Sequence, residues 1–591
     1  EVLLETHGGT VNAVASGAAL VPPAMWFATR RPTWQTLRWA AVWVGAVVAG
    51  ILWWLGPLVV LGRYSPPFLD WIEGISVTSG VASVFESVRG TSAWLGFLLT
   101  RNGPTWPGGF VFVSERPLIL VTVFVVAAGL VGLTLRDRVR DRLFLILSVV
   151  VGLFLLTVGH QGATASVTSE FFRELLDGAG APLRNLHKFD LVVRIPLALG
   201  AIATIDVVAR SARRWGLAPF LVPAVTCLGI LSLSAPAVVG NLARPEAAAA
   251  VPAYWKQAAE WLDEQPEQGA VLMLPSAAFA DFEWGSTKDN PLQFLSSRPF
   301  VHRDAVPLGS AGATRFLDGI EAELGAGQGG PHVAQVLSTA GIRYVLVPND
   351  LRRDGAGNDI VRIHSALEKS GLRRIAAFGN RGSTIADTED HTVDYRSVLV
   401  RPRIEIFDVG DTGAWLQPLS ATSTLASAGP ENLMTAARAM GDRLLFLGSD
   451  RGGLPGDRVA ALDGLRAREV DFGRATDNRS HLFQRDETPR QERREYEYAF
   501  GDKDVRTVQI WDGIEKVSAS SSASDAGATL RLGPGYGPAA ALDGDPETGW
   551  VSGRLGSAIG EWLQLDFRQS TQVREVRLEV YAHWSIGAQP S

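Results

Sequence analysis

Apolar runs in the first 240 residues constrain this chain more than any other feature. A helix needs about 20 apolar residues to cross the hydrocarbon core of a bilayer. Residues 39–61, 117–135, 142–159 and 217–239 meet that length. Residues 11–29, which carry Pro22 and Pro23, and residues 191–209, with Arg194 near one end and Asp206 near the other, are read as two further spans. The connecting segments alternate in charge. Loops 30–38, 136–142 and 210–216 hold ten Arg, whereas the much longer 62–116 and 160–190 hold seven Lys plus Arg between them. Cations in short loops mark the cytoplasmic side. The alternation holds across all six spans, so the long loops and everything after residue 240 are expected on the outer side of a cell membrane.

Beyond residue 240 the composition changes to that of an ordinary soluble protein. The predicted architecture is a multi-pass α-helical membrane domain over 1–240, then an extracytoplasmic α/β domain over 241–400, a mixed module over 401–515 and a partial β-sandwich over 516–591. The net charge of −6 over 591 residues gives no electrostatic ground for a nucleic-acid partner. Cys227 is the single cysteine, so an internal disulfide and a cysteine metal site are both excluded. Nine histidines show no paired helical spacing, so no metal motif is read. A divalent cation is the one cofactor the reading admits, with Asp543 and Asp545 as weak calcium candidates. The chain opens at Glu1 without an initiator Met and stops within a β-rich pattern, as expected of a piece of something longer.

The outer loops concentrate the chemistry. In 62–116, Val81, Val84, Phe85 and Val88 share one helical face and Trp94, Leu95, Phe97 and Leu98 follow. That pattern predicts a helix lying in the interface or packed on the bundle. Trp53, Trp54, Trp71 and Trp106 read chiefly as interfacial belt residues. A membrane-surface cavity suits a substrate with a lipid tail and a phosphate-bearing head. Such a site needs cations for the phosphate and a carboxylate to take a proton. The string Gly62-Arg63-Tyr64-Ser65-Pro66-Pro67-Phe68-Leu69-Asp70-Trp71-Ile72-Glu73 offers Asp70 and Glu73, which share a face if helical. The string Arg184-Asn185-Leu186-His187-Lys188-Phe189-Asp190 leads into the span that carries Arg194. An ionisable group there is costly unless paired or used. Arg184, Lys188 and Arg194 are candidate phosphate contacts, with Arg63, Tyr64, His187 and Asp190 beside them. Snorkelling and loop ion pairs are the plain alternative. Glu5 and His7 are weaker candidates.

In the outer half, helix-spaced 254–263 precedes a buried-strand pattern at 270–274, and helix-like 332–340 precedes the run 342–347. Polar, aromatic 281–291 reads as a loop, 444–448 as another strand and charged 485–498 as a solvated segment. The last segment carries Ala541-Leu542-Asp543-Gly544-Asp545-Pro546-Glu547-Thr548-Gly549-Trp550 and Glu561-Trp562-Leu563-Gln564-Leu565-Asp566-Phe567. Their order resembles the discoidin-like β-sandwich, a glycan- or lipid-binding module in which Trp550 and Trp562 would be structural.

The two outer-loop strings and this tail together resemble the mycobacterial α-(1→3)-arabinofuranosyltransferase family, over most of the chain. The resemblance implies a polytopic glycosyltransferase of the C fold class with outward-facing soluble modules. It also implies a decaprenyl-phosphate-linked arabinofuranose donor, an arabinan acceptor in arabinogalactan or lipoarabinomannan, and one inverting displacement that expels polyprenyl phosphate. Such transferases place an essential Asp in a first outer loop, a region ahead of the residues present here. Asp70 and Glu73 are therefore expected to assist, and these residues alone need not be active. A non-catalytic membrane anchor for glycan-binding modules is the rival reading. A transporter ranks lowest, because 39–61, 117–135 and 142–159 are nearly pure hydrocarbon.

Overall fold

The structure is a computed structural model. It describes residues 33–579 apart from 62–72, 101–102, 140, 161–164, 179, 217, 219, 243–249, 278–279, 304–310, 353–359, 386–397, 413–423, 428, 442–443, 448–457, 462–465, 472–477, 489–506, 527–532, 547 and 554–557. The chain divides between residues 247 and 248 into two compact units.

The first unit is helical. Helix α1 (Trp34–Leu61) is long and exposed. Within loop 62–116, where a helix lying in the interface or packed on the bundle is expected, the described residues form α2 (Ile75–Gly80), α3 (Val84–Arg89), a 3-10 turn (Trp94–Phe97), a two-residue ladder of β1 (Leu99–Thr100) on β2 (Gly103–Pro104), and α4 (Pro107–Ser114). The breaks have local causes. Ser83 caps α3 by accepting from Glu86 N at 3.2 Å, and Gly90 ends it at φ 82°, where a side chain would be strained. On α3, Val84 and Phe85 are exposed, Val88 packs against the core, and Ser87 and Arg89 are buried.

Then follow α5 (Arg116–Thr134), α6 (Arg142–Thr157), α7 (Ser169–Asp177), α8 (Asp190–Arg214) and α9 (Leu221–Val238). Four helical segments, Trp34–Trp53, Arg116–Thr134, Leu186–Arg214 and Leu221–Val238, are long and apolar enough to cross a membrane. The predicted span 142–159 forms a shorter helix of 16 residues. At 1.5 Å per residue it covers about 24 Å, less than a typical hydrocarbon core. The predicted span 11–29 lies outside the described residues. Helices α5 and α8 meet backbone to backbone. A Cβ on Gly132 would lie 1.7 Å from the Gly200 carbonyl oxygen, and one on Gly200 would lie 2.1 Å from that of Gly129. Small residues permit this approach in a bilayer, where the hydrophobic effect does not drive helix association. Val126, Leu133, Leu145, Val149, Val193 and Leu197 fill the bundle, and Ile75, Leu186 and Phe189 join that core from the outer segments.

The second unit is built on a five-stranded sheet. Strands β3 (Ala270–Met273), β6 (Phe300–Val301) and β7 (Ile342–Pro348) run parallel, and β8 (Arg373–Ile385) and β9 (Val398–Asp408) form an antiparallel extension, in the order β6-β3-β7-β9-β8. Strand side chains alternate between faces. Leu272, Leu274, Val345 and Val347 enter one core with Ile320, Leu324 and Leu337, whereas Val271, Met273, Tyr344 and Leu346 enter the other with Trp255, Leu262 and Phe282. Both faces are therefore covered, as the apolar strand runs require. The sheet continues past residue 400 because β9 pairs with β7 through Asp408. Part of 281–291, read as a loop, is a hairpin of β4 (Ala280–Phe282) and β5 (Gly285–Lys288), turned by Gly285 at φ 137°. Beyond it, β10 (Thr424–Ser427) lies between β11 (Leu444–Leu447) and β12 (Arg458–Ala461) in a parallel sheet. Finally, β13 (Ile514–Ala519) pairs antiparallel with β14 (Leu563–Phe567).

Candidate active site

Segments 73–115 and 159–190 of the first unit are stitched together by polar groups on short helices. Asp177, at the end of α7, accepts from Ile75 N at 2.8 Å and so caps α2. From within α2, Thr78 Oγ1 donates to Arg184 O at 3.0 Å and Ser79 Oγ donates to Gly159 O at 2.7 Å. Trp94 Nε1 donates to Asn185 Oδ1 at 3.2 Å. These bonds fix the segment before α2 against the 3-10 turn Leu186–Phe189, which runs directly into α8.

Glu73 stands just before α2 and Lys188 stands on that turn. Both are half-buried, and the Glu73 carboxylate lies within Coulombic range of the Lys188 ammonium. Arg184 is buried and His187 is half-buried beside them in sequence. Asp190 and Arg194 form an ion pair one turn apart, Nε to Oδ1 at 3.0 Å. Arg194 also donates to Val88 O at 2.6 Å and to Ser87 O. Three of its five N–H donors are thus spent within the protein. Arg63, Tyr64 and Asp70 lie outside the described residues, as do Glu5 and His7.

The sequence reading missed Arg89, whose side chain is buried. Its Nε donates to Thr122 Oγ1 at 3.0 Å, one Nη to Glu86 at 3.1 Å and the other to Phe112 O at 2.6 Å. The signal was present, since an arginine one residue beyond an apolar helical stripe is costly unless partnered.

The second unit holds other polar features. Asp543 accepts from Asp545 N at 2.9 Å and from Thr548 Oγ1 at 2.7 Å, the hydrogen bonds of an Asx-type turn. No group of three or more His, Cys, Asp or Glu able to hold a metal ion occurs among the described residues. Trp550 donates from Nε1 to Ser521 O at 2.9 Å, as a structural tryptophan would, whereas Trp562 is about half exposed. A cleft of about 1000 Å³, far in sequence from Glu73 and Lys188, is lined by His481, Glu487, Trp511, Lys516, Asp525 and Phe567. Burial would push the Glu487 carboxyl up. Hydrogen bonds from His481, with its charge, and from Gln484 N outweigh that and hold it below the usual range.

Residues 2–496 match the family described as Alpha-(1→3)-arabinofuranosyltransferase, N-terminal GT-C domain. An alpha-(1→3)-arabinofuranosyltransferase of Mycolicibacterium smegmatis is 35% identical over 95% of this chain and 41% of its own length. One from Mycobacterium tuberculosis is 35% identical over 98% of this chain and 43% of its own. The chain therefore spans about two fifths of these relatives. A cryo-EM structure of the arabinofuranosyltransferase AftD from Mycobacteria superposes with a TM-score of 0.70 at 27% identity, covering 95% of this chain and 39% of that one.

Proposed function

Because the chain belongs to the α-(1→3)-arabinofuranosyltransferase family, as its N-terminal GT-C domain, we propose that it is the membrane-embedded part of an enzyme transferring arabinofuranose from a polyprenyl phosphate to arabinan. The observation that carries this reading is the family match over residues 2–496, and Glu73 and Lys188 sit on segments that Asp177, Thr78 and Ser79 tie together. Decaprenyl phosphate is the carrier that the resemblance implies. Its tail lies in the bilayer against the apolar helices, and Arg184 and Lys188 hold its phosphate. An acceptor hydroxyl attacks the anomeric carbon with inversion. The carbon–oxygen bond to phosphate breaks, polyprenyl phosphate leaves with the electron pair, and the hydroxyl proton passes to a carboxylate. Glu73, with Asp70, assists that transfer. The product is an α-(1→3) branch.

In this reading the chain is a multi-pass protein of the cell membrane and the second unit lies on the outer side, as the arginine-rich short loops support. Residues 516–591 supply a discoidin-like module for glycan. The rival reading, a non-catalytic anchor, draws on the cleft lined by Trp511 and Phe567.

The test is transfer of labelled arabinose from decaprenyl-phosphoryl-arabinose to a short α-(1→5) arabinan by the full-length protein. Glu73→Gln and Lys188→Ala are each expected to lower kcat/KM by about a hundredfold, in line with loss of one proton-transfer or charge-stabilising group. Wild-type protein that binds arabinan and transfers nothing would establish the anchor reading instead.

A further inference from the structure

Two arginines from different helices converge on the short helix α3, and their geometry has a consequence for Lys188. The last carbonyls of any helix lack intrahelical partners and carry partial negative charge. In α3 the carbonyls of Ser87 and Val88 both accept from the Arg194 guanidinium, that of Ser87 in addition to its bond from Gly90 N. Gly90 leaves room for it. A Cβ at that position would lie 3.2 Å from Arg194 Nε and 3.3 Å from Cζ, and φ there is 82°. Asp190 holds the same guanidinium from the other side, at 3.0 Å. Arg89, the last residue of α3, fastens the same end to Thr122 of α5 and to Phe112 O of α4. Helix α3 is thus fixed to α4 and α5 by one arginine and to the first turn of α8 by another.

We infer that Arg194 is a positioning residue, clamping the C-terminal end of α3 to the first turn of α8 and so holding Lys188 in place for the donor phosphate. Lys188 lies two residues before Asp190, on a turn continuous with α8. A shift of the clamped turn therefore moves its ammonium. Lysine cannot replace Arg194, because the clamp needs a planar fork that reaches three acceptors at once. The inference rests on the reading of Lys188 as a phosphate contact, and the test separates the two.

Hydrogen exchange of the full-length protein is followed over residues 87–91, where Gly90 N bonds to Ser87 O and Thr91 N to Glu86 O. Donor kinetics are measured beside it. Arg194→Lys is expected to speed that exchange by about tenfold and to raise the donor KM by about tenfold with kcat nearly unchanged. Gly90→Ala keeps every charge, displaces the guanidinium and is expected to give the same pattern. Unchanged exchange in both variants overturns the clamp. Faster exchange with an unaltered donor KM overturns the positioning role and leaves a structural bond. Lys188→Ala provides the separation: an unaltered donor KM there overturns the phosphate reading itself, whatever the exchange shows.

Discussion

Asp350 is fully buried, and one of its carboxylate oxygens accepts from Tyr254 Oη at 2.7 Å, Trp284 Nε1 at 2.9 Å and Trp255 Nε1 at 3.2 Å. Burial raises its carboxyl above the ordinary range, against the pull of those donors, and burial likewise pushes up the Tyr254 hydroxyl. Removing the acceptor strands three donors, each worth about 1 kcal/mol or more when buried and unsatisfied. Asp350→Ala should therefore destabilise the second unit by on the order of 3 kcal/mol. Asp350→Asn, which keeps an acceptor oxygen and sheds the charge, should stay near wild type; thermal unfolding of the two side by side checks this. Glu487 shifts the other way. A carboxyl held below its usual 4.5 adds stability that is complete above that value and is lost as pH falls through the lower folded value. Glu487→Gln should lower stability at neutral pH and flatten the acid limb, so that variant and wild type converge as pH falls below about 4.5.

Among the elements, the contact of α5 with α8 is the most exacting. Gly129, Gly132 and Gly200 bring two backbones into touch, and any side chain there must push the helices apart. Overpacking of this kind costs about 1–3 kcal/mol, and more when backbone rather than a flexible side chain is struck. Gly132→Leu should lower the yield of folded protein in detergent and shift its unfolding transition down, whereas Gly45→Leu on exposed α1, where a Cβ meets nothing within 4 Å, should do neither. Helix α3 illustrates the opposite design. It is six residues long, too short to persist alone, and is held by capping and by two arginines rather than by an apolar face.

Over the whole molecule, charge placement sets the topology that the proposed chemistry needs. Helix α8 ends in Arg213 and Arg214, and Arg138 lies across from Asp206 at 3.8 Å, so the arginine-rich ends gather on one side of the bundle. Cysteines placed singly in a Cys227→Ser background test the orientation. A membrane-impermeant maleimide added to intact cells should label Glu170→Cys and spare Arg138→Cys. The reverse pattern would put the candidate site on the cytoplasmic side and remove the ground for a lipid-linked donor there.

Much of this was legible from sequence. Apolar run length picked out 39–61, 117–135, 191–209 and 217–239, which fall in the helices Trp34–Leu61, Arg116–Thr134, Asp190–Arg214 and Leu221–Val238, and apolar runs and helical spacing located β3, β7 and the helices before them, because these signals are local in the chain. The family resemblance rested on continuous strings for the same reason. What sequence could not assign was the partner of each charged group. Arg194, read as a candidate phosphate contact, donates to carbonyls more than a hundred residues away, and Asp177, Thr78 and Ser79 sew together the segments that carry Glu73 and Lys188. The breaks in loop 62–116 had local causes in the Ser83 cap and Gly90, whereas the partners that bury Arg89 come from α4 and α5. A periodic pattern fixes which face of an element is apolar. Which polar groups find each other depends on how closely backbones approach, and only packing decides that.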